Sequence, residues 1–249
     1  MKRVIIIGAT SGIGRALASL YIAEGWTTGL CGRRTAFLED LRSVAGKQVL
    51  VRAMDVTDTV AARKVFVELV QVMGGVDLVI ISAGTGYLDP SFPWEKELET
   101  LKTNVTGFAA IAHAAFEVFR HQGFGHLAGI SSIAAIRGGS VPAYHASKAF
   151  VSNYLQGVRC LAAASGLQIH VTDILPGFVD TAMAKGDGLF WVASPEKAAL
   201  QIFRAISKKK YRVCITKRWQ IIAILLRVMP SGVYNGLLCR KKGKVDRGM

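Results

Sequence analysis

The chain has 249 residues, 51% of them hydrophobic, which suits one large α/β domain and excludes a disordered protein. Its four cysteines lack metal-ligand spacing, so we expect reduced thiols, a cytoplasmic location and no metal site. The net charge is +14, yet the segment from Ser207 to the end holds twelve basic residues and a single acid, Asp246, so the basic character belongs to the C-terminus.

Strand-like and helix-like stretches alternate along the chain. The first apolar run, Val4 to Ile7, has the length of a buried strand and is too short for the core of a signal peptide. We predict strands at 3–7, 27–31, 48–56, 77–82, 126–131, 168–174 and 211–216, and helices at 13–25, 36–44, 58–73, 94–120, 144–164 and 195–206. The alternation predicts an α/β domain over residues 1–216, with a doubly wound, seven-stranded parallel sheet.

Glycines follow the first strand in the sequence GATSGIG, at Gly8, Gly12 and Gly14. Glycines in such a turn permit a close backbone approach to a pyrophosphate, and the next helix offers free N–H groups to the phosphates. An ordinary strand-ending turn is the alternative, but the position after the first strand favours a nucleotide site.

The second predicted strand ends in Arg33 and Arg34, where an acid would bind a ribose 2′-hydroxyl. A guanidinium suits a 2′-phosphate, so the sequence favours NADP(H), with Arg33 expected to make the contact. Asp55, at the end of the third strand, is expected either to reach an adenine amino group or to cap the helix that begins at Asp58.

Tyr144 and Lys148 stand four positions apart among small residues, which places them on one face of a predicted helix. A cation near a phenol favours the phenolate and lowers the pKa of the phenol, so the pair predicts a general acid or base.

Six motifs, taken in order, resemble the short-chain dehydrogenase/reductase family. They are Gly8-x-x-x-Gly12-x-Gly14, SAG at Ser82, NVTG at Asn104, GISS ending at Ser132, Tyr144-x-x-x-Lys148, and PGFVDT from Pro176 to Thr181. The resemblance implies a Rossmann-type fold and a catalytic group of Asn104, Ser132, Tyr144 and Lys148. It also implies homodimers or homotetramers that pack the helices at 94–120 and 144–164.

By the same resemblance, the cofactor contacts lie at the carboxyl ends of the strands, and Val179 and Thr181 touch the nicotinamide end. The full expected set is Gly8, Thr10, Ser11, Gly12, Ile13, Gly14, Arg33, Arg34, Asp55, Val56, Ser82, Ala83, Gly84, Asn104, Tyr144, Lys148, Pro176, Gly177, Val179 and Thr181.

The chain departs from the family pattern in three places. Ile7 stands where the family often has Thr, and Ile81-Ser82 stands where it often has Asn-Asn. The loop between Ser132 and Tyr144 is one residue shorter than is common, which leaves Ser131 as an alternative to Ser132. We assign Ser132, since the second serine of the pair is the usual catalytic one.

Two further segments have open interpretations. Phe190 and Trp191, in the stretch 182–193, are expected either to cover a substrate pocket, with Tyr87 and His145 nearby, or to belong to the core. The basic segment 217–249 predicts a helical extension with an apolar face that includes Trp219, Ile222, Leu225, Leu226 and Met229. It packs either on protein or on a membrane surface, and no nucleic-acid reader module accompanies its charge.

The sequence therefore predicts an NADP(H)-dependent oxidoreductase that acts on a small-molecule carbonyl or alcohol. The alternative is an NADP(H)-binding sensor or scaffold without turnover, and the intact Tyr144–Lys148 pair argues against it.

Overall fold

The computed structural model describes residues 2–87, 91–181 and 190–242. The central strands are β1 (Arg3–Ile7), β2 (Thr27–Gly32), β3 (Val49–Ala53), β4 (Leu78–Ile81), β5 (Phe124–Ile130), β6 (Gln168–Pro176) and β7 (Arg212–Ile215). They form one parallel sheet in the order β3-β2-β1-β4-β5-β6-β7. The predicted seven-stranded, doubly wound architecture is confirmed.

Helices cover both faces of this sheet. They are α1 (Gly12–Ala23), α2 (Ala36–Ala45), α3 (Thr59–Val72), α4 (Trp94–Leu101), α5 (Phe108–Gln122), α6 (Pro142–Ser165), α7 (Pro195–Ser207), α8 (Trp219–Val228) and α9 (Ser231–Lys242). Alternate side chains of β1 enter opposite layers: Ile5 and Ile7 pack with α3, α5 and α6, whereas Val4 and Ile6 pack with α1, α2 and α7. This double burial is the reason that every residue from Val4 to Ile7 is apolar.

The strand order reverses between β1 and β4, so the chain leaves these two strands in opposite directions. A crevice forms beyond the carboxyl ends of strands at such a switch point, and ligands of open α/β sheets bind there. The glycine turn after β1 and the residues Ser82 to Gly84 after β4 both lie at this edge.

The predicted helix at 94–120 is interrupted by a π-helical turn from Lys102 to Gly107. The end of this turn packs closely against the segment after β3, since a Cβ at Gly107 would lie 2.7 Å from the carbonyl oxygen of Val56. Asn104 lies within this turn, and its side chain bonds to a neighbouring loop. Widened helical turns often occur at functional sites, and periodicity in the sequence does not reveal them.

The C-terminal segment packs on the body through α8. Trp219 and Ala223 are buried in a small cluster with Ile133 and Leu175. The Arg137 guanidinium donates to the carbonyl of Met229 at 2.6 Å, and the Tyr234 hydroxyl of α9 donates to the carbonyl of Gly138. No helix in the described ranges is long and apolar enough to cross a bilayer.

Candidate active site

The turn between β1 and α1 has no room for side chains at two of its glycines. Gly8 has a φ of +86°, and a Cβ there would lie 2.5 Å from the Ala83 nitrogen. A Cβ at Gly14 would lie 2.1 Å from the carbonyl oxygen of Gly8, so α1 starts directly against the turn. The N-cap residue Ser11 makes no side-chain cap bond, which leaves the first amides of α1 open to an anion.

Arg34, rather than Arg33, reaches this turn. Its Nη2 donates to the hydroxyls of Thr10 and Ser11, both at 3.1 Å, and its guanidinium lies over the Phe37 ring. The chain turns between β2 and α2, so Arg34 points back towards Thr10 and Ser11. Which of the two arginines contacts a 2′-phosphate stays a prediction.

Asp55 does not cap α3, because Asp58 fills that position and accepts from the Ala61 amide at 3.0 Å. The Asp55 carboxylate accepts instead from the Thr57 amide and hydroxyl. Burial would raise the pKa of Asp55, but the Thr57 bonds and the Arg33 charge outweigh burial and lower it. Asp55 thus remains an ionised acceptor at the edge of the crevice.

The residues after β4 are tied to β1 through the backbone. The amides of Ser82 and Ala83 both donate to the carbonyl of Ile7, at 2.8 and 2.9 Å. This arrangement brings the two loops together without the polar side chains that the family often has there. A Cβ at Gly84 would lie 3.1 Å from Lys148 Nζ and 3.3 Å from Asn104 Oδ1, so Gly84 gives both groups access to the crevice.

Tyr144 lies near the start of α6 with its partly buried side chain packed against Gly86, where a Cβ would lie 2.4 Å from the phenol ring. Burial raises the pKa of Tyr144, and a hydrogen bond with the Ser132 side chain opposes that rise. The expected lowering of this pKa by the lysine is wrong for the protein without cofactor. Desolvation disfavours the phenolate by more than the Ser132 hydrogen bond favours it, so the pKa rises. Tyr144 is therefore a protonated donor at neutral pH.

Lys148 lies one turn after Tyr144 and is 5% exposed. Its Nζ donates to the carbonyl of Ile130 at 3.0 Å and lies 5.8 Å from the centre of the Tyr144 ring. Burial lowers the pKa of Lys148 to about 8, although the Asp173 carboxylate acts in the opposite direction. The ammonium is thus held close to the phenol at the end of β5.

Asn104 joins the loop after β4 to α6. Its Oδ1 accepts from the Thr85 amide at 2.8 Å, and its Nδ2 donates to the Thr85 carbonyl at 2.7 Å and to the Ser147 hydroxyl at 3.0 Å. The residue is 1% exposed. Its amide fixes the position of the helix that carries Tyr144 and Lys148.

The two serines at the end of β5 have different surroundings. The Ser131 hydroxyl is buried and donates to the Asp173 carboxylate, with the Ile174 carbonyl also within hydrogen-bond distance. Ser132 accepts from the Ala134 amide at 3.1 Å and bonds with Tyr144. The geometry therefore favours Ser132 over Ser131 as the partner of the phenol.

The segment from Pro176 to Thr181 closes the crevice on the far side. Val179 is bridged to Ala193, and the Thr181 methyl group would lie 2.9 Å from a Cβ at Gly12.

Phe190 stacks on Trp219 at 5.1 Å, and Trp191 lies 6.2 Å from the same ring. Phe190 and Trp191 are about half exposed, so they cover the body without forming its core. The rest of the expected substrate segment, 182–189, lies outside the described residues.

The two side chains expected beside this segment have other partners in the structure. The Tyr87 hydroxyl donates to Glu99 at 2.5 Å, and His145 Nδ1 lies 2.9 Å from the Val141 carbonyl.

Sequence reasoning missed Asp173, a buried carboxylate behind the catalytic edge. It accepts from Ser131 and from Ser152 of α6, and it pairs with Arg212 of β7 at 3.2 Å. An acidic residue in the buried part of a central strand was the available signal. Trp219 was expected on the tail, but its stacking on the segment after β6 was not.

These residues fit a nicotinamide dinucleotide. The side-chain-free turn and the open N-terminus of α1 suit a pyrophosphate. Arg34 beside the turn suits a phosphate on the adenosine ribose, and Gly84 leaves Lys148 accessible to the nicotinamide ribose.

The chain belongs to the short-chain dehydrogenase family, whose pattern it matches over residues 2–188. It is thus an oxidoreductase related to an uncharacterized oxidoreductase of Myxococcus xanthus, 37% identical over 184 residues and 72% of each chain. Another from Mycobacterium tuberculosis is 31% identical over 239 residues and 92% of each chain. A solved short-chain dehydrogenase from Sphingobium yanoikuyae in complex with NADPH has the same fold, with a TM-score of 0.78, 22% identity and 96% of each chain covered.

Proposed function

We propose that the protein is an NADP(H)-dependent oxidoreductase that interconverts a carbonyl compound and its alcohol. The observation that carries this proposal is the Tyr144 phenol, hydrogen-bonded with Ser132 and one helical turn from the buried Lys148. When bound, the nicotinamide supplies or accepts the hydride at the substrate carbon.

Tyr144 supplies the proton in the reducing direction. Its raised pKa keeps the phenol protonated, and as the substrate oxygen gains negative charge the phenol can transfer its proton to that oxygen. The phenolate left behind lies beside Lys148, whose ammonium favours the charged form. Ser132 donates to the same substrate oxygen, where negative charge develops.

Lys148 and Asn104 support this proton transfer. Lys148 holds the nicotinamide ribose and, with a pKa of about 8, can return a proton to Tyr144 near neutral pH. Asn104 keeps one acceptor site of Oδ1 beyond its bond from Thr85, which suits a water that links Lys148 to solvent.

Preference for NADP(H) over NAD(H) rests on the two arginines and on the missing acid at the end of β2. Arg34 lies over the hydroxyls of Thr10 and Ser11, and Arg33 is close enough to Asp55 to lower its pKa. A 2′-phosphate between these guanidinium groups would gain charge-assisted hydrogen bonds that a 2′-hydroxyl cannot make.

The test is Tyr144→Phe, which keeps the ring and removes the proton donor. With NADPH and a panel of aldehydes, ketones and sugars, a substrate turned over by the wild type should lose at least ~10²-fold in kcat for the variant, the scale of general acid catalysis. NADPH binding, followed by nucleotide fluorescence, should remain nearly unchanged.

Tyr154→Phe is the matched control, because Tyr154 lies on the same helix and packs against Phe108 and Phe150. This variant should keep wild-type turnover. Near-normal activity of Tyr144→Phe would show that the phenol is not the proton donor and would end the proposed mechanism.

A further inference from the structure

Helix α8 is apolar on two opposite faces. The inward face, Trp219, Ile222, Ala223 and Leu226, packs on the body of the protein. The outward face repeats at i, i+3, i+4 and i+7, the spacing of one helical stripe. It consists of Ile221, Ile224, Leu225 and Val228, which are 67%, 57%, 48% and 70% exposed.

The position of Leu225 corrects the sequence-based expectation, which placed this residue on the same apolar face as Trp219. Single exposed apolar residues are normal on a protein surface, but a continuous stripe of four is not. Helix α9 adds Val233 and Leu237, one turn apart and 55% and 52% exposed. A helix that is apolar all round is ordinarily covered on all sides, so the outward stripe predicts a surface that covers it.

Basic residues surround this stripe. Lys217 and Arg218 stand at the start of α8 and Arg227 at its end, and all three are exposed. At 100° per residue, Arg218 and Arg227 fall on opposite borders of the outward stripe. Within the described ranges none of the three has an acidic partner, and the sequence has a single acid after Glu196.

The charge decides between the surfaces that could cover the stripe. A two-fold contact with a second copy would bring the same patch of each chain together, and with it Lys217, Arg218 and Arg227 of both copies. Like charges at such an interface oppose association. A lipid surface with anionic headgroups complements the same charges and also accepts the apolar stripe.

We propose that the outward face of α8, formed by Ile221, Ile224, Leu225 and Val228, docks in the interface of an anionic lipid bilayer while the inward face stays packed on the enzyme. The helix is ten residues long, so it lies in the plane of the interface. The flanking arginines and Lys217 contact the headgroups. This association does not depend on the catalytic mechanism.

The experiment is co-sedimentation of the full chain with vesicles of phosphatidylcholine alone and of phosphatidylcholine mixed with phosphatidylserine. We expect binding to the anionic vesicles at low salt, weakening as salt rises, and little binding to the neutral ones. The triple variant Ile221→Ser, Ile224→Ser and Val228→Ser should lower the partition coefficient by about tenfold or more, since it removes the apolar contribution to binding.

The charge contribution is tested by the double variant Arg218→Gln and Arg227→Gln, which leaves the stripe intact. From the usual attraction of a basic residue near an anionic surface, partition should fall by roughly 30-fold. The matched control is Val60→Ser, Val67→Ser and Val72→Ser, which removes three exposed valines from α3. Its partition should equal that of the wild type, and the melting temperature of each variant verifies that it folds.

Three outcomes would overturn the proposal. One is a full chain that ignores anionic vesicles at low salt. Another is a stripe variant that binds as well as the wild type, which would assign the binding to charge alone. The third is a stripe variant that dissociates an oligomer in sedimentation without lipid, which would make the stripe an interface between copies of the chain.

Discussion

Replacing Lys148 with methionine should change the pH dependence of folding stability. The ammonium is 5% exposed, and burial lowers its pKa from 10.5 to about 8. Between these two values the folded chain has lost the proton while the unfolded chain still binds it. The wild type therefore has its full stability above pH 10.5. The contribution of Lys148 to the free energy of unfolding falls as the pH drops from there to about 8.

The size of the effect follows from the two pKa values. Linkage over this window gives a loss of about 2.5 kcal/mol in the free energy of unfolding between about pH 10 and pH 7. Lys148→Met has no proton to exchange, so this term is absent from the variant. The free energy of unfolding of the variant minus that of the wild type should be about 2.5 kcal/mol larger at about pH 7 than at pH 10, because only the wild type loses stability as the pH falls.

Urea unfolding of both proteins at the two pH values measures this difference. Lys64→Met on α3 is the control, because the Lys64 side chain is 77% exposed. The control should show the same difference from the wild type at both pH values. A Lys148→Met difference that does not change with pH would refute the argument that Lys148 is buried as an ion at neutral pH.

The remaining predictions concern the nucleotide, the far end of the sheet and the buried carboxylate. Arg34→Ala should weaken NADPH binding at least tenfold, or ~1.4 kcal/mol, with NADH nearly unchanged, and titration of Arg33→Ala shows how the two arginines share the contact. Burial, with the charges of His170 and Lys209, lowers the pKa of His126 to about 4. The wild type should therefore lose about 2.5 kcal/mol between about pH 7 and pH 4.5, a loss absent from His126→Gln in urea unfolding. Asp173→Asn breaks the pair with the half-exposed Arg212 and should cost about 2–3 kcal/mol, seen as a melting temperature lower by roughly 5–10 °C; an unchanged value would contradict this.

The fold was readable from the sequence because burial on both faces leaves a clear pattern. The residues from Val4 to Ile7 are apolar at every position because alternate side chains enter two different core layers. The order of the six motifs predicted the family, and that prediction is confirmed. The packing of α4, α5 and α6 against a second copy stays a prediction, as do the catalytic roles of Asn104, Ser132, Tyr144 and Lys148.

The electrostatics of the site could not be predicted from the sequence in the same way. Tyr144 and Lys148 are four residues apart in any helix, but the direction of the tyrosine pKa depends on how much of the ring Gly86 and its neighbours bury. The sequence favoured Arg33 for this edge of the site, and the turn after β2 decides that Arg34 bonds to Thr10.

The sequence by itself determined the strand and helix pattern and the glycine turn, because these depend on local periodicity and spacing. The candidate catalytic residues came from the order of the motifs, through their resemblance to the family. Tertiary structure alone decided that Ser132 and not Ser131 bonds with the phenol, and that Asp173 lies behind Lys148. It also decided which stripe of α8 faces the body. Both stripes are apolar, so their composition does not decide which one packs on the body. The inward packing depends on Gly177, which has no side chain and therefore leaves room for the Trp219 ring.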